Sequence, residues 1–466
     1  MADLTCDVAV IGAGTAGIAA ERSARGKGAK TLFIDPEFAG TVCATVGCMP
    51  SKLLIAAAQR AHDARTAGVF GLSTSVEVDG KAVMERVRAE RDKFAKATRD
   101  GFEDLPEGTC IKGRARFASP TELVLDDGRT VSAGAIVIAT GSDAMVPPPY
   151  RDLGEDRLLT NRNVFEQADL PESLAVIGAG AIGVELAQAF ARLGVRVAIF
   201  DQGKTVAGAR CDRLQKSLVE ELYKDLDLHL GVSPVPEVVA DGVRVTWDGG
   251  EDVFERVLVA TGRPPSVKDL DLDNTGLTLD DKGMPEVDSE SLQCGDAPIF
   301  MAGDANTDRP VLHEAATEGS VAGRNAATYP ALTRAGRSPS FTITFTDPPL
   351  VSIGEGPDDS VTIGSADYTD QGRAKVEARN VGLARLYAAA PDGRLIGADL
   401  FCPGADHLGH LIAWAVETGM TASDLLNRPF YHPTLEEGLR GALREVCREV
   451  PLDLPGDRDT GNPPGH

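Results

Sequence analysis

The stretch DVAVIGAGTAGIAAERSA, residues 7–24, decides the fold. It predicts a buried strand, a glycine-rich turn and a helix, with Gly12, Gly14 and Gly17 in the spacing GxGxxG. In this spacing Gly12 permits the turn, Gly14 lets the backbone approach a pyrophosphate, and Gly17 lets the helix pack on the strand. The helix N-terminus then faces the phosphates. The stretch therefore predicts a dinucleotide-binding fold.

The strand that follows supports this prediction. AKTLFID, residues 29–35, ends on Asp35, which lies 23 residues after Gly12. A carboxylate at this place in the fold accepts hydrogen bonds from a ribose.

The same pattern occurs a second time. SLAVIGAGAIGVELAQAFARLGVRVAIFD, residues 173–201, again has three spaced glycines, and its second strand ends on an acid. The equivalent residues are Gly178, Gly180, Gly183 and Asp201. Two dinucleotide folds in one chain imply two bound dinucleotides.

Asp201 indicates which nicotinamide cofactor the second fold binds. A carboxylate there bonds the 2′-hydroxyl of NAD but repels the 2′-phosphate of NADP. Arginines just downstream would indicate NADP, but the residues are Gln202, Gly203 and Lys204. The sequence predicts NAD, and Lys204 is the one nearby cation that argues against it.

In the sequence, a cysteine pair follows the first of the two repeats, in AGTVCATVGCMPSK, residues 39–52. In a regular helix Cys43 and Cys48 would point roughly 140° apart, so a disulfide between them needs a distorted turn. Gly47 provides backbone latitude and Pro50 is tolerated in the first turn of a following helix. Such a bridge is strained and reducible. The alternative is a structural staple, but so short a loop contributes only about 2 kcal/mol.

This segment resembles the redox-active segment of the flavin-dependent disulfide reductases, the class I pyridine nucleotide-disulfide oxidoreductases. The resemblance implies an α/β chain with two Rossmann-like domains, FAD in the first and NAD in the second. It also implies a C-terminal α+β dimerisation domain. Val42 is a departure, because the family usually has a Thr there that helps hold the flavin's phosphates.

The resemblance carries over to further residues. Lys52 would pair with Glu185, and the pair would help reduced flavin carry negative charge. His432 and Glu437, in HPTLEE, match the family's catalytic His and the Glu that orients it. In the family this His reaches the partner subunit's disulfide, so the resemblance implies a homodimer. Positions expected near the cofactors are Gly113, Ala115, Thr140, Gly141, Gly262, Asp304, Leu312 and His313.

The chain of 466 residues suggests roughly three domains. The predicted parts are a FAD domain at 1–150, an NAD domain at 151–268, the rest of the FAD domain at 269–337, a dimerisation domain at 338–450 and a disordered tail at 451–466.

Charge and cysteine usage limit the function classes. A net charge of −23 argues against nucleic acid or an anionic membrane as a partner. Eight cysteines without metal-type CxxC pairs predict a cytoplasmic protein with no metal site. The six cysteines outside the pair are expected to be buried thiols. No run is expected to approach 18 apolar residues.

Within the family, the sequence best fits the branch that oxidises protein-bound dihydrolipoamide and passes electrons through Cys43 and Cys48 to FAD and NAD⁺. Asp201 and the form GCMPSK favour it. The partner would be the lipoyl-bearing protein of a 2-oxoacid dehydrogenase or of a glycine cleavage system. The enzymatic alternative is an NADPH-dependent reductase of a small disulfide such as glutathione disulfide. Missing adjacent C-terminal cysteines disfavour the mercury-reducing branch. A passive assembly subunit is a further alternative.

Overall fold

A computed structural model describes residues 2–450 of the chain. The predicted disordered tail at 451–466 lies outside the described residues, and the domain limits at 150, 268 and 337 stay predictions. Within the described part, the strands form four sheets. Two of these sheets are built around the predicted βαβ repeats.

The first sheet contains the first repeat. Strand β1 pairs in parallel with β2 on one side and with β6 on the other, and β2 pairs with β3. The antiparallel pairs β4–β5 and β5–β6 extend the sheet. The elements of this part are β1 (Leu4–Ile11), α1 (Thr15–Gly26), β2 (Thr31–Asp35), α2 (Val42–Thr45), α3 (Cys48–Thr66), α4 (Gly80–Glu103), β3 (Cys110–Lys112), β4 (Ala115–Ser119), β5 (Glu122–Leu125) and β6 (Thr130–Ile138).

The second sheet contains the second repeat and has the strand order β10-β9-β8-β14-β7, all parallel. A smaller antiparallel sheet, β11-β12-β13, packs beside it. The elements are β7 (Leu158–Leu159), β8 (Ser173–Ile177), α5 (Ala181–Arg192), β9 (Arg196–Asp201), α6 (Asp212–Leu222), β10 (Asp227–Leu230), β11 (Val235–Val239), β12 (Gly242–Trp247), β13 (Gly250–Phe254) and β14 (Arg256–Val259).

The chain then returns to the first sheet. Strand β15 (Ile299–Met301) pairs in parallel with the end of β6, at Ile136 to Ile138. Helix α7 (Leu312–Thr328) follows and packs along α1, where Gly319 and Gly323 allow the two backbones to touch. The first nucleotide-binding fold is therefore discontinuous in sequence.

The C-terminal part is a five-stranded antiparallel sheet of order β16-β17-β20-β19-β18, covered by helices. Its core includes Leu386, Leu400, Ile412 and Leu443. The elements are β16 (Phe341–Thr344), β17 (Leu350–Gly354), β18 (Val361–Asp367), α8 (Gly372–Val376), β19 (Leu383–Ala389), β20 (Arg394–Phe401), α9 (Ala405–Glu417), α10 (Ala422–Leu426) and α11 (Leu439–Glu449).

The expectation that all six remaining cysteines are buried is wrong for two of them. Cys6 and Cys110 are only half-buried. Cys6 lies near the start of β1, before the part of this strand that pairs with β2, and Cys110 lies in β3, the short strand at the edge of the sheet. Within residues 2–450, one helical run, Val42–Phe70, is long and apolar enough by length and composition to cross a membrane. Its many alanines raise the mean hydropathy, and Leu54 and Ala58 pack in the core.

Candidate active site

The predicted distorted turn lies between the two cysteines. Helix α2 is a single turn that ends at Thr45, and α3 begins at Cys48. Gly47 joins them with φ −129° and ψ −118°, and a Cβ there would lie 2.8 Å from the carbonyl oxygen of Val42. Glycine is therefore needed for close backbone contact. The turn brings the two sulfur atoms together.

Cys43 and Cys48 are free thiols in the structure and are joined by a hydrogen bond. This bond lowers the pKa of Cys48 to about 6, against the opposing effect of burial and with help from the charge of Lys52. The same bond and burial raise the pKa of Cys43. Cys48 is also the first residue of α3, where the helix dipole favours a thiolate. The opposite directions of the two pKa shifts favour Cys48 over Cys43 as the thiolate of the reduced pair.

Lys52 lies one turn after Cys48, on the same face of α3. Its Nζ is 2.7 Å from Oε2 of Glu185, a residue of α5 that is only 7% exposed. The structure thus brings together the two residues that the resemblance pairs.

A third residue, Phe345, contacts both members of this pair. The backbone N–H of Phe345 donates to Glu185 Oε1 at 2.7 Å, and Lys52 Nζ lies 4.3 Å from the centre of the Phe345 ring. Sequence reasoning missed Phe345, because nothing in the pattern FTITFTDPP indicates a contact with a helix some 160 residues earlier.

The first glycine-rich turn has the expected form. Gly12 has φ +99°, and a Cβ there would lie 2.4 Å from the carbonyl oxygen of Ala139. A Cβ on Gly17 would lie 1.8 Å from the carbonyl oxygen of Gly12, while at Gly14 it would meet open space. The open side at Gly14 and the start of α1 are suited to a pyrophosphate.

Asp35 does more than the sequence predicts. Its Oδ2 accepts the N–H of Ala13 at 2.9 Å, and its Oδ1 accepts those of Glu37 and Phe38. A carboxylate has about four acceptor positions, so one is left for a ribose hydroxyl. The N–H of Gly113 donates to the backbone carbonyl of Asp35, which places this glycine beside the acid. Ala115 is buried at the start of β4.

The turn after β6 meets the turn after β15. Ser142 Oγ donates to Asp304 Oδ2 at 2.7 Å. Gly141 has φ +68°, and Thr140 Oγ1 is buried with no hydrogen-bond partner among the described residues. An orphaned hydroxyl beside the glycine-rich turn fits a polar group of a bound flavin.

The corresponding turns of the two nucleotide folds also touch each other. The N–H of Met145 donates to the carbonyl of Gly262, and that of Asp143 donates to the carbonyl of Pro264. Arg263 Nε donates to Ser142 Oγ at 3.1 Å. The two predicted cofactor turns, ATGS and ATGR, therefore form one hydrogen-bonded junction.

The second glycine-rich turn repeats the first. Gly178 has φ +110°, and a Cβ on Gly183 would lie 2.0 Å from the carbonyl oxygen of Gly178. At Gly180 a Cβ would meet open space. Asp201 accepts the N–H of Ala179 on Oδ2 and that of Gly203 on Oδ1, both at 2.6 Å. Each of its oxygen atoms keeps one position for a ribose hydroxyl.

The remaining predicted residues lie in the C-terminal half, two at the start of α7 and two in the segment before α11. Leu312 and His313 are exposed in the first turn of α7. His432 Nδ1 is 3.0 Å from Oε2 of Glu437, whose carboxylate is buried and also accepts the N–H of Thr434. His432 itself is about half exposed, at 55% of its side chain. The buried acid thus orients an accessible imidazole, and its approach to a partner's cysteines stays a prediction.

A cavity of about 360 Å³ lies beside the Lys52–Glu185 pair. It is bounded by α3, α5, the loop after β16 and the start of α9. Glu185, Phe345 and Asp347 line it, together with Gln188 and Arg192. Water therefore has access to the side of the pair that faces the loop.

Comparisons with known proteins bear on the whole chain. A family model described as "Pyridine nucleotide-disulphide oxidoreductase" matches residues 6–320, and the model of the family's dimerisation domain matches residues 340–443.

Relatives and solved structures cover most of the chain. A dihydrolipoyl dehydrogenase of Haloferax volcanii is 31% identical, over 95% of this chain and 97% of its own. A mercuric reductase of Shigella flexneri is 32% identical, over 95% of this chain and 81% of its own. The HOCl-induced flavoprotein disulfide reductase RclA from Escherichia coli shares the fold with a TM-score of 0.82 at 21% identity, over 94% of this chain and 99% of its own.

Proposed function

Because this chain belongs to the pyridine nucleotide-disulphide oxidoreductase family, we propose that it is a dihydrolipoyl dehydrogenase, which oxidises protein-bound dihydrolipoamide and reduces NAD⁺. The observation that carries the proposal is the Cys43–Cys48 pair, which the turn at Gly47 brings together one helical turn from the Lys52–Glu185 pair. The dihydrolipoyl dehydrogenase relatives and the carboxylate of Asp201 favour this branch of the family.

The chain uses FAD and a pyridine nucleotide, as its family does. The first βαβ unit, Asp35, Thr140 and Asp304 would hold the FAD, and the second βαβ unit would hold the NAD. When bound, FAD takes up the electron pair of the reduced cysteines and gives it to the nicotinamide as a hydride. Lys52 holds a positive charge on the helix face next to Cys48, in a place suited to an anionic reduced flavin.

The cysteines carry out the exchange with the substrate. A thiol of dihydrolipoamide gives its proton to His432 of the partner subunit and attacks Cys43 Sγ in the oxidised pair, so that a mixed disulfide forms and Cys48 leaves as a thiolate. The second substrate thiol then attacks the substrate sulfur of the mixed disulfide. The substrate disulfide forms, and Cys43 leaves and takes up the proton of this second thiol. Cys48 is a good leaving group because its pKa is low, at about 6.

Glu437 makes the imidazole suitable for this task. Its buried carboxylate fixes the ring through Nδ1 and stabilises the imidazolium that forms. The match to the dimerisation domain supports a homodimer in which each site uses both chains. The proposed partner is a lipoyl-bearing protein of a 2-oxoacid dehydrogenase or of a glycine cleavage system, in the cytoplasm.

Steady-state assays of the purified holoenzyme test this function. We expect turnover with dihydrolipoamide and NAD⁺, and its loss to background in Cys43→Ser and Cys48→Ser because the exchange needs both sulfur atoms. His432→Gln should reduce kcat by about 10²- to 10⁴-fold, the usual contribution of a general base. Cys110→Ser is the matched control, since this thiol is half-buried in the same fold and lies in strand β3.

The same assays separate the rival reductase. Lys204, three residues after Asp201, is the observation that favours NADP. A clear preference for NADPH with glutathione disulfide would replace the proposed substrate and cofactor. Near-normal dihydrolipoamide turnover in either cysteine variant would refute the mechanism.

A further inference from the structure

The Lys52–Glu185 pair is held by a segment far from both residues in the sequence. The loop between β16 and β17, residues 345–349, supplies the backbone N–H of Phe345 to Glu185 and the ring of Phe345 to Lys52. Both oxygen atoms of Glu185 are thus used, one by Lys52 and one by Phe345. These two contacts hold the carboxylate against the ammonium.

The loop itself is fixed along one face of α5. Gln188 Oε1 accepts the N–H of Asp347 at 2.8 Å, and Arg192 Nη1 lies 2.8 Å from Asp347 Oδ2. With Glu185 these two residues form a buried polar stripe on the helix, spaced so that they share one face. The loop is therefore bound to α5 at two places, through the N–H of Phe345 and the N–H of Asp347, and these contacts fix Phe345 against the helix.

The ring has a further effect on Lys52. A cation over the face of an aromatic ring is attracted by the ring's electrons. The ring covers one side of the ammonium, while the Lys52 side chain as a whole is 34% exposed. On the covered side the ring takes the place of water, so the local dielectric is lower there and the charge of Lys52 acts more strongly on its surroundings.

We propose that Phe345 is a positioning residue that fixes the Lys52–Glu185 pair and so sets how strongly the charge of Lys52 favours reduced flavin. The inference rests on the proposed function only in that the flavin lies beside Lys52. It links the C-terminal sheet, which carries Phe345, to the redox chemistry of the first fold through a contact within one chain.

The test compares the midpoint potential of bound FAD in the wild-type holoenzyme and in Phe345→Leu. Loss of the ring removes its attraction for the ammonium and opens the covered side of Lys52 to water. We therefore expect the equilibrium between oxidised and reduced flavin to shift about tenfold towards the oxidised form, which lowers the midpoint potential by about 30 mV for a two-electron couple. Phe345→Tyr keeps the ring and should stay within about twofold of wild type.

The matched control is Phe254→Leu, which removes another ring that lies under a cation. Phe254 is in β13 of the second fold, and the guanidinium of Arg196 lies 4.9 Å from the centre of its ring. This change should leave the flavin potential unchanged. An unchanged potential in folded, FAD-loaded Phe345→Leu, or an equal shift in Phe254→Leu, would overturn the inference.

A second variant covers the case in which Phe345→Leu fails to fold or to bind FAD. Gln188→Leu removes the acceptor that anchors Asp347, and it should shift the potential in the same direction but by less than Phe345→Leu is expected to. No shift in Gln188→Leu would then count against the inference. These readouts need no lipoamide, so a shifted potential in a protein that does not oxidise dihydrolipoamide would sink the proposed function and leave this inference standing.

Discussion

The two βαβ units have nearly the same turn but different helix surroundings. In each, the first glycine adopts a positive φ, +99° at Gly12 and +110° at Gly178, and a Cβ there would lie 2.4 Å from a backbone oxygen. In each, the acid after the second strand accepts an N–H from the turn. The backbone around the expected phosphates is therefore the same in both.

The outer faces of the two helices differ. Helix α1 packs on α7 through backbone contact: a Cβ on Gly319 would lie 2.1 Å from the carbonyl oxygen of Ala16, and the same holds for Gly323 and Ala20. Helix α5 instead presents the polar stripe that holds the loop after β16. Dinucleotide binding constrains the turn, whereas the neighbour of each helix decides the rest of its surface.

The largest effect should come from the same substitution in the two turns. Gly17→Ala and Gly183→Ala each place a Cβ about 2 Å from a backbone oxygen, at 1.8 and 2.0 Å. We expect Gly17→Ala to bind less than about a tenth of the wild-type FAD, because helix and strand must separate. Gly183→Ala should keep FAD and raise the KM for NAD⁺ by about tenfold or more.

The measurements are the flavin content of the purified variants and their steady-state kinetics. Gly26→Ala is the control for the first unit, since a Cβ there meets open space. If Gly183→Ala lost its flavin while Gly17→Ala kept it, the assignment of cofactors to the two units would be reversed.

The next prediction concerns the contribution of the polar face of α5 to stability. Arg192 is 8% exposed and pairs with Asp225 and Asp347. Arg192→Met leaves these carboxylates without that partner, so we expect the free energy of unfolding to fall by about 3–5 kcal/mol in urea titrations.

An exposed pair on α4 is the control for this change. Lys96 and Asp100 form an i,i+4 pair with both side chains more than half exposed. Lys96→Met should cost less than about 1 kcal/mol. Equal losses in the two variants would mean that the stripe on α5 adds no more than a surface pair.

The smallest predicted change in stability concerns the close packing of α1 on α7. Gly319→Ala forces the helices apart, and we expect a loss of about 1–3 kcal/mol in the free energy of unfolding. Gly101→Ala in α4 is the matched helix glycine with open space around it, and it should gain roughly 0.5–1 kcal/mol. A neutral Gly319→Ala would show that the contact between α1 and α7 is loose.

Local patterns predicted much of this structure. The glycine spacing gave both βαβ units, and the break at Gly47 followed from the spacing of Cys43 and Cys48. The pair of His432 and Glu437 was expected because HPTLEE resembles a short motif of the family. Each of these features is set by neighbours in sequence, which is the range over which a pattern is informative.

Contacts between distant segments were not predicted, apart from the Lys52–Glu185 pair, which the family resemblance supplied. Phe345 meets Glu185 across 160 residues, and Ser142 meets Asp304 across 162. The bracing of the glycine-rich turns by Asp35 and Asp201 was missed for another reason: a carboxylate assigned to a ribose was not expected to accept backbone N–H groups as well. Only the placement of whole elements against each other reveals such contacts.

The late return of β15 has a consequence for how the chain is made. The parallel sheet of the second nucleotide fold is complete in sequence once β14 has been synthesised, at Val259, whereas the first sheet waits for β15 at Met301. Domains generally fold as units while the ribosome adds about 5–20 residues per second. The first fold therefore leaves the ribosome first but is completed after the second, and the end of β6, at Ile136 to Ile138, is open to unwanted strand pairing until β15 arrives.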